Sequence, residues 1–271
     1  MSIIKFISSY IPKRYKNRLY TFLIQFRTVN IQINKDTDAL VSSSYTHHVS
    51  DDNDLESLGN KYQPTKRLHN YLPHYWKHFR DIRYQVSRVL EIGVQSDKSI
   101  KMWEEFFPNA EIYGIDIEPS CMDFQGGRRK IFIGDQSNEE FLIDVINTAG
   151  GSFDIIIDDG SHRVIHQLKS FNILFPKLKS HGIYVIEDTG ACVGDTQLKT
   201  ISRIKKLIDK IMFYPKGLSF DKWSSLKSFD SEADWESKNI VGIAFYRWIC
   251  FIERGKNPDD NKYITTGIAL K

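Results

Sequence analysis

Short apolar runs separated by amphipathic stretches dominate the middle of the chain. Runs rich in β-branched and aromatic residues occupy positions 88–93, 111–117, 130–135, 153–158 and 183–187. Stretches with helical spacing lie between them, at 98–107 (ended by Pro108), 138–148 (begun by a capping Asn138) and 164–178. Because strands that alternate with helices of this length form right-handed crossover units, the pattern predicts a doubly wound α/β domain with a parallel sheet.

Two further strand-like runs close the pattern. Residues 240–246 and 249–253 lie too close together for an intervening helix, so we expect them to pair as an antiparallel hairpin. Five parallel strands followed by such a hairpin are the strand plan typical of class I S-adenosylmethionine methyltransferases. We therefore predict a Rossmann-like, seven-stranded, mostly parallel sheet, and we assign residues 88–271 to this methyltransferase domain.

The first third of the chain follows a different pattern. Residues 1–60 combine a basic, aromatic N-terminal stretch with a polar linker, and residues 61–87 form a helical accessory or lid segment in which aromatic and basic residues alternate at helical spacing over 62–83. The N-terminal stretch has two interpretations. It is either an amphipathic helix that contacts a membrane surface or a partner, or a surface helix that packs on its own domain or on a sister subunit.

Composition sets wide bounds. The chain has 271 residues, of which 41% are hydrophobic and 26% charged, enough for one substantial core with an accessory segment. A formal net charge of +3 requires no polyanionic partner, and we predict no nucleic-acid binding. Without a bilayer-spanning apolar run or a signal peptide, we expect a cytoplasmic protein, with the inner membrane face as a further location if the N-terminus binds it. Cys121, Cys192 and Cys250 form no CxxC pair, so neither a disulfide framework nor a zinc site is indicated.

Acids end two neighbouring strands. The run IIIDDGSH at 155–162 and the run IYVIEDT at 183–189 should deliver carboxylates to one edge of the sheet. Asp159, Glu187 and Asp188 form an oxygen-donor set that favours Mg²⁺, Mn²⁺ or Ca²⁺ over zinc. The alternative use of Asp158 or Asp159 is to cap the helix that begins near Val164.

A histidine follows the first acid pair. His162 lies three residues after Asp159, and because histidine titrates near neutral pH (about 6.5) it is suited to take a proton from a hydroxyl that a metal polarises. His166, one helical turn later, is its rival. We predict His162 as the general base.

A cofactor site is predicted on the other side of the same edge. The exit of the first strand contains Glu91, Gly93 and Ser99, and its single glycine fails the G-x-G-x-x-G fingerprint of dinucleotide binders. Asp116, at the end of the second strand, is placed to accept the hydroxyls of a ribose, which indicates an adenosine-containing ligand. After the third strand, Asp135 and Gln136 either read the adenine edge or cap the next helix.

Together these motifs resemble the metal-dependent sugar O-methyltransferases that modify macrolide antibiotics. The resemblance covers roughly residues 58–255 and also includes KMW at 101–103, FPN at 107–109, IYGID at 112–116 and GDQS at 134–137. It implies that Asp159, Glu187 and Asp188 bind Mg²⁺, that His162 is the base, and that S-adenosylmethionine is the cofactor. From the strand ends themselves we predict the cofactor-binding residues, which are Glu91, Gly93, Ser99, Asp116, Asp135, Gln136 and Asp158.

The resemblance also implies an acceptor and an assembly. The acceptor would be a sugar hydroxyl on a glycosylated natural product or a cell-surface polysaccharide precursor, and relatives suggest a homo-oligomer. Two departures from the family pattern matter: Asp97 and Lys98 stand where further glycines are usual, and KYQPTK at 61–66 stands where KYGTDK is common. Two other functions remain open, a non-catalytic adenosine-ligand scaffold and a metal-dependent hydrolase or hydroxylase.

Overall fold

A computed structural model describes residues 55–190, 197–212 and 234–257, with side chains from residue 200 onward in the second range. The basic N-terminal stretch, the linker up to residue 54 and Cys192 lie outside these residues. Contacts divide the chain into the units Met1–Ser50 and Asp51–Lys271, and every described residue belongs to the second. Within the described part, Cys121 and Cys250 are buried free thiols, and no helix has the length and apolar character needed to cross a membrane.

Seven strands form one sheet, as the sequence predicts. In chain order they are β1 (Arg88–Ile92), β2 (Glu111–Asp116), β3 (Arg129–Ile133), β4 (Phe153–Asp158), β5 (Leu178–Ile186), β6 (Ile240–Tyr246) and β7 (Ile249–Arg254). Their spatial order is β3-β2-β1-β4-β5-β7-β6, with β7 antiparallel to both of its neighbours. The strand order reverses between β1 and β4, and this switch point opens a crevice beyond the carboxyl ends of the strands.

Helices cover both faces of the sheet. They are α1 (Leu55–Tyr62), α2 (Thr65–Leu68), α3 (Leu72–Phe79), α4 (Asp97–Phe106), α5 (Glu139–Thr148), α6 (Val164–Leu174), α7 (Gln197–Ile211) and α8 (Trp235–Asn239), with 3-10 turns at Pro119–Phe124 and Phe175–Lys177. Alternate residues of β4 supply the two cores: Ile155 and Ile157 pack with α1, α3 and α4, and Ile156 packs with α5, α6 and α7. This two-sided burial explains why the strand reads as a continuous apolar run.

The segment before the sheet corrects one expectation. The single helix expected over 62–83 is instead two short helices, α2 and α3, which follow the end of α1 at Tyr62. The breaks arise because Pro64 lacks an N–H and because Gln63 and Asn70 have left-handed φ angles of 54° and 58°. The helical spacing survives locally, since Tyr75 and Phe79 are both buried on α3. Helix α1 also begins at Leu55, inside the stretch expected to be linker up to residue 60.

Two other boundaries differ from expectation. The helix predicted over 164–178 ends at Leu174, where a 3-10 turn containing Pro176 follows. Strand β5 begins at Leu178 rather than at Ile183, and its pairing with β4 shifts register between Phe153 and Ile155. The capping role of Asn138 is confirmed, because its side chain accepts a hydrogen bond from the N–H of Phe141.

Candidate active site

A cavity of about 750 Å³ opens at the carboxyl edge of the sheet, beside the switch point. Its walls come from the ends of β1, β2 and β3, from the loops after β4 and β5, and from α2 and the residues flanking it. The predicted residues that line it are Gly93, Ser99, Asp116, Asp135, Gln136, Asp159, His162 and Asp188. Residues assigned to a cofactor and residues assigned to a metal therefore share one cavity.

Gly93 lies where the loop after β1 meets the loop after β4. Its φ is +88°, and a Cβ there would collide with the backbone of Asp159 and Gly160. Its N–H donates to the carbonyl of Ile115 (2.8 Å), and the N–H of Asp159 donates to the carbonyl of Ile92 (2.9 Å). Only glycine permits this approach, which keeps the two walls of the cavity adjacent.

Asp116 organises the loops at the end of β2. Its carboxylate accepts hydrogen bonds from the backbone N–H groups of Gln95 (2.7 Å) and Glu118 (2.9 Å), one to each oxygen. Each carboxylate oxygen has a further lone pair, so the side chain, which lines the cavity, retains acceptor capacity. This is the arrangement expected of an acid that accepts ribose hydroxyls.

Glu91 lies beneath the cavity wall. Its fully buried carboxylate accepts hydrogen bonds from the Ser99 hydroxyl (2.8 Å) and the Trp103 indole N–H (3.4 Å). Ser99 lines the cavity, whereas Glu91 does not. The structure therefore places Glu91 behind the cavity wall, where its carboxylate supports Ser99.

Three polar residues at the ends of β3 and β4 were predicted to contact the cofactor. The structure separates them into a buried pair, Gln136 and Asp158, and the exposed Asp135. Gln136 accepts from the N–H of Ser161 (2.7 Å) and donates to Asp158 (3.2 Å), which ties two loops together. Asp158 is completely buried, and burial raises its pKa to about 6 despite hydrogen bonds from Gln136 and Tyr184. Asp135 is exposed on the cavity wall, and its carboxylate accepts a local hydrogen bond from Ser137 N–H (2.7 Å).

On the opposite side, one ligand atom from each of Asp159, His162 and Asp188 lies within 4.8 Å of the others. His162 and Asp188 have left-handed φ angles of 54° and 50°, a conformation rare for non-glycine residues and frequent at functional sites. The Nε2 atom of His162 is 3.5 Å from Oδ2 of Asp188. The sequence-predicted base and two of the predicted metal ligands therefore meet.

Glu187 faces the protein interior. Its Oε1 atom lies 2.7 Å from Lys66 Nζ and accepts a hydrogen bond from the Tyr75 hydroxyl. Burial and the nearby charge of Asp159 raise the pKa of Glu187 to about 8, against the lowering effect of Lys66. Although it neighbours the cluster, Glu187 does not line the cavity.

Sequence reasoning missed the buried cation of this site. Lys66 is 1% exposed, and its Nζ atom lies 2.9 Å from Glu91, 2.5 Å from Asp159 and 2.7 Å from Glu187. Burial would lower the pKa of Lys66, but the three carboxylates raise it well above its usual value. Buried acids need a nearby cation to offset their charge, so the predicted cluster of acids was the sequence signal that could have led to a buried lysine.

Two tyrosines from the same segment complete the site. Tyr71 donates a hydrogen bond to Oδ1 of Asp188 (2.5 Å), and Tyr75 donates to Glu187. Burial and the acceptor carboxylates raise the pKa of both hydroxyls, which keeps them as donors. His69 lies 3.5 Å from Asp188 and lines the cavity. Tyr71 and Tyr75 stand four residues apart, a helical spacing that could have pointed to them.

His166, the rival base, also lines the cavity but lies outside the acid cluster. Its Nδ1 atom is 2.9 Å from the Ser161 hydroxyl.

The donor set fits a hard divalent cation. Asp159 and Asp188 offer carboxylate oxygens to the cavity, and Glu187 directly precedes Asp188 in the chain. Mg²⁺ typically takes one or two protein carboxylates and keeps several waters or substrate oxygens. Lys66 neutralises part of the buried acid charge without facing the cavity.

Known proteins with similar sequences have a common chemistry. Mycinamicin VI 2''-O-methyltransferase of Micromonospora griseorubida is 38% identical over 226 residues, covering 76% of this chain and 54% of that protein. Demethylmacrocin O-methyltransferase of Streptomyces fradiae is 33% identical over 225 residues, with the same coverage. No protein-family profile matches the chain.

Solved structures agree with the sequence matches. The crystal structure of the MycE methyltransferase of the mycinamycin pathway, in complex with Mg and SAH, superposes with a TM-score of 0.63 at 35% identity, covering 77% of this chain and 55% of that one. By sequence and fold, the chain is a homologue of the sugar O-methyltransferases. The predicted resemblance and the predicted class I methyltransferase fold are both confirmed.

This sugar O-methyltransferase homologue spans about half the length of the curated relatives that it matches. A second MycE structure, with Mg, SAH and mycinamycin VI, superposes with a TM-score of 0.62 over 79% of this chain and 57% of that one.

Proposed function

We propose that the protein transfers a methyl group from S-adenosylmethionine to a sugar hydroxyl, in a reaction that requires Mg²⁺ or a similar divalent cation. One observation carries the proposal: a single cavity is bordered by Asp116 and the Gly93 loop on one side and by Asp159, His162 and Asp188 on the other. An adenosine cofactor and a metal-bound acceptor would thus be held next to each other. The named relatives and the Mg and SAH in the MycE structures support it.

Each residue has a separate task in this reaction. Asp116 binds the ribose. Asp159 and Asp188 hold the cation from the cavity wall, with Glu187 on the interior side of the same cluster. When bound, the cation polarises the acceptor hydroxyl, and the cofactor supplies the methyl group. His162 takes the hydroxyl proton at Nε2 as the oxygen forms its bond to the methyl carbon and the bond from that carbon to sulfur breaks, leaving S-adenosylhomocysteine.

The acceptor is a glycosylated small molecule or a saccharide precursor. Pro64 and Thr65 line the cavity at the positions where KYQPTK departs from the family pattern. Because these cavity residues depart from the family pattern, we expect this chain to prefer an acceptor other than the mycinamicin VI and demethylmacrocin that the relatives' names give. Homo-oligomerisation, a cytoplasmic location and peripheral membrane contact through the N-terminus stay predictions from the sequence.

A methyl-transfer assay tests this function. Radiolabelled S-adenosylmethionine is incubated with the protein and a panel of macrolide glycosides, nucleotide sugars and lipid-linked saccharides, with Mg²⁺ or with EDTA. We expect label in at least one sugar, and its loss with EDTA. Transfer that is indifferent to EDTA would refute the metal requirement, and cofactor binding without transfer to any sugar would favour the scaffold alternative.

The hydrolase alternative has less support. It would use Asp159, Glu187 and Asp188 but leaves the loop that Asp116 organises, on the far side of the same cavity, without a ligand. The scaffold alternative leaves the grouping of His162 with the acids unused.

A further inference from the structure

Lys66 joins the ends of three strands. Its ammonium contacts Glu91 on β1, Asp159 after β4 and Glu187 after β5, at 2.5 to 2.9 Å. Lysine and these acids are rarely buried unless paired, and here Lys66 is 1% exposed. The three strands are neighbours in the sheet, so their carboxylates converge by topology.

The charges of this cluster do not balance. Within the described part of the chain, Lys66 contacts three carboxylates (Glu91, Asp159 and Glu187), and a fourth, that of Asp188, has an oxygen within 4.8 Å of an Asp159 oxygen. His69 and His162 each lie 3.5 Å from Asp188, and a ring nitrogen of His162 is also within 4.8 Å of an Asp159 oxygen, whereas Lys66 contacts its three carboxylates at 2.5 to 2.9 Å. Lys66 is thus the cation that the described residues supply to Glu91, Asp159 and Glu187, and excess negative charge remains on the cavity side.

The backbone holds Lys66 in this position. The left-handed turn at Gln63 and the rigid Pro64 end α1 and begin the short helix α2 that carries Lys66. The carbonyl of Lys66 accepts a hydrogen bond from the N–H of Tyr71 (2.9 Å), whose side chain binds Asp188. The same short segment therefore positions both the Lys66 ammonium and the Tyr71 hydroxyl.

We propose that Lys66 is the resident counter-ion of this cluster, a positioning residue that holds Asp159 and Glu187 in place before a metal binds. The part of this inference that concerns the metal rests on the proposed function. Lys66 and the divalent cation would share the task of offsetting the carboxylates. Without Lys66, the fold should depend more strongly on the cation.

Thermal unfolding of the full chain tests this role without an acceptor or cofactor. In EDTA, Lys66→Met should lower Tm by about 10 °C, because removing one partner of a buried ion pair leaves uncompensated charges. The matched control is Lys61→Met, since Lys61 pairs with Glu105 at 2.5 Å on the surface with its side chain 55% exposed. This control should change Tm by no more than about 2 °C.

Adding Mg²⁺ or Mn²⁺ separates charge compensation from simple packing. The cation should raise the Tm of Lys66→Met by several degrees more than that of the wild type, since it takes over the missing charge. Equal, non-zero shifts in both proteins would overturn the counter-ion role, as would a metal-free Lys66→Met with wild-type Tm.

A double variant covers the case in which Lys66→Met does not fold. Above pH 8, where Glu187 is ionised, Lys66→Met with Glu187→Gln removes one charge of each sign, and in EDTA it should regain a large part of the lost Tm or solubility. No recovery would overturn the proposal. If no cation shifts the Tm of the wild type or of either variant, the proposed metal dependence fails, while the metal-free comparison still decides the role of Lys66.

Discussion

The Nε2 atom of His162 lies 3.5 Å from Oδ2 of Asp188, although the two residues follow different strands. Both have left-handed backbone angles, and both side chains line the same cavity. A histidine in this position can take a proton from a hydroxyl that is bound beside the Asp188 carboxylate. The pairing joins the two strand-end motifs into one site.

Replacing the predicted base should slow methyl transfer without weakening the binding of cofactor or metal. We expect His162→Asn to lower kcat by about 10²- to 10⁴-fold, the usual contribution of general base catalysis, with S-adenosylmethionine and Mn²⁺ affinities retained. Methyl-transfer kinetics and calorimetry measure these quantities. The control is His166→Asn, which should cost less than about tenfold because His166 contacts Ser161 outside the acid cluster. If kcat fell more in His166→Asn than in His162→Asn, His166 would be the base instead. A loss of Mn²⁺ affinity in His162→Asn would make His162 a metal ligand.

Asp188 should be needed for metal binding. Asp188→Asn removes a charge from the cavity side of the cluster, so Mn²⁺ affinity should fall at least about tenfold, the size of loss seen even for outer-shell partners. Titration followed by electron paramagnetic resonance measures this affinity. The exposed Asp123 provides a matched control, and Asp123→Asn should leave the affinity unchanged. Wild-type affinity in Asp188→Asn would remove this residue from the metal site.

Asp154 should contribute pH-dependent stability away from the site. Burial alone would raise its pKa, but hydrogen bonds from Lys179 and from the N–H groups of Ser87 and Arg88, each at 2.9 Å, lower it. A depressed carboxyl pKa stabilises the fold above the unfolded value of about 3.9, and this stabilisation is lost as pH falls through the folded value.

Asp154→Asn should therefore cost about 1–3 kcal/mol at pH 7, and the cost should shrink as the pH falls below about 4. Urea unfolding at several pH values measures it. Asp144→Asn, on the exposed face of α5, should cost less than about 0.5 kcal/mol throughout. A pH-independent difference between wild type and Asp154→Asn would show that the ionised carboxylate is not what stabilises the fold.

The sheet and its acids could be predicted from the sequence because their signals are local. Strand β4 is a short apolar run that ends in Asp158, and its predicted bounds match the structure. Since parallel strands bring their carboxyl ends to one edge, the sequence alone was enough to expect Asp159 and Asp188 to meet. The hairpin of β6 and β7 followed from the short gap between its two runs.

Long-range pairing could not be predicted in this way. Lys66 contacts Asp159 across 93 positions, and Tyr71 contacts Asp188 across 117. Their periodicity indicated an accessory helix lying over the sheet domain, whereas the turns at Gln63 and Asn70 redirect Lys66 and Tyr71 inward. Glu187 is directed inward by its contacts with Lys66 and Tyr75, so the local sequence pattern could not predict its orientation either.

Calorimetric titration of the protein with S-adenosylmethionine in the presence of Mg²⁺ tests the central claim most directly. We expect saturable binding at one site per chain, with an affinity at least about tenfold weaker in Asp116→Asn, since the amide offers one acceptor oxygen where the carboxylate offers two. Equal affinities in wild type and variant would remove Asp116 from the site. No binding by the wild type at millimolar cofactor would contradict the methyltransferase account itself.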